Sequence, residues 1–195
     1  MERNSPTSQV CKLESQIRQA YGRVVYTLTC HNKIIQRLLS RNNKIKVWQI
    51  ILSVLTTGSF LTTILYSKEI ASFVGAFISI GLLILNGYTK NFDLVETAQS
   101  HQKAADALWK IREEYVSLLT DFDLLELSQI MERRDDLQNR TAEIYAQSPR
   151  TDAKSYKEAQ KALKTEEEQT FSEKEINVML PNSLRRETEQ KGNTM

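Results

Sequence analysis

The chain reads as an all-α membrane protein: a two-transmembrane helical hairpin that continues into an antiparallel, coiled-coil-like cytosolic bundle. Two uncharged apolar runs, Val47 to Tyr66 and Ile70 to Tyr88, stand back to back with only Ser67, Lys68 and Glu69 between them. Apolar residues recur at steps of three and four on both sides of that pair, the spacing of helices with one buried stripe. All but two of the 26 Lys/Arg and 24 Asp/Glu side chains lie outside the runs and their turn, so the modest net charge of +2 conceals the hairpin.

Residues 1–7 are expected to be unordered. From there Val10, Leu13, Ile17, Ala20, Val24, Leu28, His31, Ile35 and Leu38 trace a single helical stripe that must pack against something. Residues 1–46 hold nine basic side chains against two acidic ones, a local charge of +7. Cys11 and Cys30 lie nineteen apart with no CxxC pair, which argues against a disulfide or zinc site and for packing roles.

As helices the two runs are each roughly 30 Å long, the thickness of a bilayer hydrocarbon core. In lipid every backbone N–H and C=O must be satisfied internally, and a helix does this within one run. The rival reading is a soluble bundle that buries two very apolar helices, but so short a chain has little protein with which to surround them. Trp48, Tyr66 and Tyr88 stand at run ends as interface anchors. The first span carries Thr56, Ser59 and Thr63 on one face, hydroxyls that either line a conduction path or pack and bond back to the preceding turn. The second presents Ala71, Gly75 and Ser79 at intervals of four, a strip that lets two backbones approach closely. Arg37, Arg41, Lys44 and Lys46 beside the first span place the N-terminus in the cytoplasm, and the hairpin returns the C-terminus there.

Beyond the second span Leu94, Thr97, His101, Ala104, Leu108, Ile111, Tyr115, Leu118, Phe122 and Leu125 form a heptad seam. No Pro or Gly intervenes between Tyr88 and Gln147, so the second transmembrane helix is expected to run on as one rod. Residues 90–148 carry a charge of −5, which predicts pairing with the +7 segment. His31 and His101 lie sixteen and thirteen residues from their membrane ends, so the hairpin brings them to similar heights. Such a pair sets register in a polar layer, or senses pH or binds a metal.

Ser148-Pro149 ends the seam region. A short polar helix is expected over 152–168 with Tyr156, Ala159 and Leu163 on one side, followed by an apolar patch at Ile176 to Leu180 that docks on the bundle or on a partner. The domain thus spans residues 8–146 and a polar tail follows over 147–195. Phosphate-loop, dinucleotide, zincin and nucleophile-elbow motifs are missing, which argues against an enzyme and calls for no cofactor. The acidic pairs Glu113-Glu114, Asp121 with Asp123, and Asp135-Asp136 read as a solvated face rather than a Mg²⁺ site.

The order of amphipathic helix, tight two-span hairpin and long helix carrying Ala104-Ala105-x-x-Leu108-Trp109-x-Ile111-Arg112-x-x-Tyr115 resembles the SLATT group, the SMODS- and SLOG-associating two-transmembrane effectors of bacterial conflict systems, with family five the branch favoured. The resemblance implies an antiphage effector of the bacterial inner membrane that forms a homo-oligomer and opens a pore. Its implied trigger is a nucleotidyltransferase, a SLOG-type sensor, a reverse transcriptase or a nucleotide second messenger. Trp109, Arg112 and Tyr115 carry over as a structural or coupling cluster. The alternative from a different class is a membrane-anchored scaffold that conducts nothing.

Overall fold

The computed structural model describes residues 6–66 and 69–186, with no side chains described for residues 6–8, 65, 66, 69 and 71. The Ser67-Lys68 turn, the Tyr66 and Ala71 side chains, and residues 1–5 and 187–195 therefore lie outside the described residues. All regular structure in the described part is helical.

The first helix, α1, runs unbroken over Pro6–Tyr66, 61 residues, and so joins the N-terminal stripe to the first span in one rod. It begins inside the segment expected to be unordered. The second span is α2, Glu69–Asn91, antiparallel to the end of α1. No residue of the apolar windows in these two helices is buried by protein. Phe60 and Ile64 on α1, and Ile70, Phe73, Phe77 and Leu83 on α2, are each at least 60 % exposed. A contiguous apolar surface of this extent needs a non-aqueous neighbour, and a lipid bilayer supplies one. The soluble-bundle reading fails here, since nothing among the described residues covers the hairpin.

The expected continuous rod is interrupted. Helix α2 ends at Asn91, and α3, Leu94–Thr120, starts afresh behind the cap residue Asp93, whose carboxylate accepts the Val95 and Glu96 backbone N–H groups. A second break follows Thr120, where a 3₁₀ turn at Phe122–Leu124 reverses the chain into α4, Leu127–Gln147. Neither break needs Gly or Pro, because a carboxylate that caps new N–H groups makes a restart favourable by itself.

The core confirms the stripes with two local shifts, the first on α1, where Ile34 is buried and Ile35 only half-buried. Leu13, Ile17, Ala20, Val24 and Leu28 of α1 are buried against Ala105, Leu108, Ile111, Tyr115 and Leu118 of α3, and α4 adds Ile130 and Leu137. Thr97 is exposed and Ala98 takes its buried place. The seam ends in the turn, where Phe122 is still buried and Leu125 half-buried. Of the two cysteines only Cys30 packs inside; Cys11 is exposed, and both are free thiols.

The tail belongs to the bundle. Helix α5, Ala153–Lys164, is shorter than expected, with Asp152 as its N-cap, and it docks on α1 through Ser155, Ala159 and Ala162, all fully buried. Tyr156 lies on the outer side of that face and stacks on Tyr26 at 5.6 Å. The +7 and −5 segments do lie side by side, with α1 packed on α3, but two cations of α1 find their acids elsewhere. Arg37 of α1 reaches Asp152 (2.5 Å) and Glu158 (3.1 Å), and Lys33 reaches Glu168 (2.6 Å), so the basic stretch pairs with the tail. The acids of the −5 segment pair among their own arginines, Glu114 and Asp136 with Arg140, and Asp135 with Arg134. Helix α6, Glu173–Met179, leaves Val178 and Met179 exposed, so the apolar patch does not dock on the bundle.

Candidate functional site

Within the hairpin, Thr56, Ser59 and Thr63 are the half-buried face of the first span, and the helix they can be half-buried against is α2. A Cβ placed on Gly75 would lie 3.0 Å from the Ser59 Cβ, so the hydroxyl face and the glycine are each other's neighbours. All three hydroxyls donate to carbonyls one turn back, to Leu52 (2.8 Å), Leu55 (2.9 Å) and Ser59 (3.0 Å). In a single hairpin this face is thus an interhelical contact with its donors satisfied. The strip on α2 is rotated from its expected position. Gly75, Ile78, Leu82 and Leu85 are half-buried, whereas Ser79 is exposed and donates to the Gly75 carbonyl (2.8 Å).

At the end of the spans nearer the bundle, Gln49 Nε2 donates to Asn86 Oδ1 (2.9 Å), with Thr89 Oγ1 at 3.5 Å, and ties α1 to α2. Sequence reasoning missed this clasp. The signal was there, since each amide sits about one turn inside its apolar run, at equal depth in an antiparallel hairpin. Just outside it the Arg41 guanidinium lies 5.3 Å from the centre of the Tyr88 ring, and Tyr88 stacks on Phe92 at 4.9 Å, directly before the Asp93 cap. Tyr88 is therefore held by protein contacts, while Trp48 is 58 % exposed.

Higher in the bundle the two histidines meet as expected. The Nδ1 atoms of His31 and His101 are 2.8 Å apart, both rings are buried, and one ring donates while the other accepts. Burial pushes the His31 pKa down to about 4, helped by the facing imidazole. His101 is lowered chiefly by burial, with Asp152 opposing and Arg37 assisting. The pair is therefore neutral near pH 7. No group of three or more metal-ligating side chains occurs among the described residues. Asp152 is held below the usual carboxylate range, first by the Ser155 backbone N–H and also by Arg37, and the Cys30 thiol is pushed up by burial. The layer thus gathers α1, α3 and α5 around one hydrogen bond, and α5 was its unforeseen member.

Trp109, Arg112 and Tyr115 do not form one cluster. Tyr115 is fully buried in the core, Arg112 pairs with Glu113 (2.7 Å), and Trp109 is 52 % exposed on another side of α3.

The family of SMODS and SLOG-associating 2TM effector domains, family 4, matches residues 13–175. That corrects the preference for family five. It also extends the domain past residue 146, in agreement with the docking of α5 on α1. Neither a curated protein nor a solved structure matches the chain.

Proposed function

Since the chain belongs to family 4 of the SMODS and SLOG-associating two-transmembrane effector domains, we propose that it is a bacterial conflict-system effector whose oligomers breach the inner membrane after a partner signals infection. The observation that carries this reading is the continuity of α1, a 61-residue helix that belongs to the buried bundle at one end and to the lipid-facing hairpin at the other. A change of packing in the bundle has a direct mechanical route into the membrane. Both chain ends lie in the cytoplasm in this reading, where a nucleotidyltransferase, a SLOG-type sensor, a reverse transcriptase or a nucleotide messenger would act on the bundle.

Conduction through the face of Thr56, Ser59 and Thr63 requires that face to turn away from α2 when subunits assemble. Replacing all three with Val tests it. The expected outcome is retained membrane insertion with loss of triggered dye leakage from liposomes. Leakage unchanged by the triple substitution removes this face from the path. The packing of those hydroxyls against α2 favours a second reading, a membrane-anchored scaffold. Wild-type protein that collapses no membrane potential in triggered cells and leaks no dye would select it.

A further inference from the structure

A cleft of about 180 Å³ opens between α1 and α4 over the core of the bundle, with Ala20, Val24 and Ala142 as its apolar walls. Arg23 comes from α1, Tyr115 from α3, and Gln138, Thr141 and Tyr145 from α4; no acidic side chain lines it. Tyr115 is fully buried, yet among the described residues its hydroxyl has no hydrogen-bond partner. The Thr141 hydroxyl beside it donates to the Leu137 carbonyl (2.6 Å), which leaves it to the phenol only as a weak acceptor. Burial raises the Tyr115 pKa, with the Thr141 hydroxyl and then the Arg23 charge opposing. Arg23 is exposed, and no carboxylate pairs with it among the described residues, although five other arginines have acidic partners.

A buried phenol without a partner is costly unless something completes it. A protonated phenol, a primary amide and an unneutralised guanidinium together present donors and positive charge, the requirement of an oxyanion. The volume is below the roughly 300 to 1,000 Å³ that encloses a whole organic ligand, so the cleft suits one group with the rest of its molecule in solvent.

We propose that this cleft binds a phosphoryl group, held by the Arg23 guanidinium and the Tyr115 hydroxyl with Gln138 beside them. Such a ligand bridges α1, α3 and α4, the three helices of the core, and so bears on their relative packing. The binding itself stands whether or not the membrane is breached, because it is read on the full chain in detergent, separately from leakage.

The test is calorimetric titration of the full-length protein with inorganic phosphate and, in a second arm, with adenosine 5′-monophosphate. Binding is expected in at least one arm, weakened about tenfold or more by Tyr115→Phe and by Arg23→Gln. Tighter binding of the nucleotide identifies a phosphate ester as the ligand class, and equal binding identifies free phosphate. Absence of binding in both arms, or wild-type affinity in both variants, overturns the proposal. Without ligand, Tyr115→Phe is expected to leave the melting temperature unchanged or higher. A drop of several degrees would show that the hydroxyl serves the fold, and would overturn it too.

Discussion

The His31–His101 contact carries two demands at once, a hydrogen bond and neutrality, and both make it sensitive to substitution and to pH. Replacing one ring with Leu leaves the other buried without its partner, at a cost of about 1 to 3 kcal/mol, whereas replacing both removes the unsatisfied group and should recover much of the loss. Chemical denaturation of the two single variants and the double variant measures this coupling. The pH dependence follows from the lowered pKa of His31, about 4 when folded against 6.5 for the free side chain. A base whose folded pKa is depressed binds fewer protons folded than unfolded between those values. Its contribution is therefore complete above pH 6.5 and is lost as pH falls from there toward 4, about 3 kcal/mol in all. Wild type should lose more stability than the double Leu variant over that interval, and parallel curves would exclude the linkage. The contact was legible in advance because counting from two membrane ends sets relative height. Arg37, Asp152 and Glu158 around it were not, since no local pattern announces a pairing between residues more than a hundred positions apart.

Helices in this chain end where carboxylates and amides offer new caps, and that rule explains both the misread rod and the docked tail. Absence of Gly and Pro permits a continuous helix without requiring one. Asp93 followed by Glu96, Glu126 by Gln129, and Asp152 by Ser155 have the spacing of a residue that caps the N–H three positions on. Read for that spacing, the sequence marks the starts of α3, α4 and α5. The apolar periods were legible because burial imposes them, and the breaks were obscure because apolar residues continue across them. Asp93→Ala removes an acceptor from two backbone donors and should cost about 1 kcal/mol of bundle stability, seen in thermal melts, with faster amide exchange in the first turn of α3. The seating of α5 depends on small residues. Ala159 is fully buried, and Leu in its place overfills the contact by three heavy atoms, at about 1 to 3 kcal/mol. Limited proteolysis should then cut near residue 150 in the variant while α1 and α3 stay protected, and an unchanged digestion pattern would show that α5 is held by its ion pairs.

A protein whose longest helix is shared between lipid and water has a topology that its own two thiols can report. The local charge of +7 before the first span favours a cytoplasmic N-terminus, and an antiparallel hairpin commits the bundle and the docked α5 to the same side. Cys11 is exposed on the bundle, and Cys30 is buried with its thiol pKa raised by that burial, so only Cys11 should react promptly with a maleimide. In intact cells a membrane-impermeant maleimide is expected to leave the chain unlabelled, and permeabilisation should allow one label per subunit, lost in Cys11→Ser. The chain should also stay with the membrane through alkaline carbonate, because two spans of exposed apolar side chains have no aqueous conformation that hides them. Labelling of Cys11 from outside would invert the orientation and put the bundle beyond the reach of any cytoplasmic signal. Release by carbonate would contradict the hairpin itself, and with it the route by which α1 carries a change of packing into the bilayer.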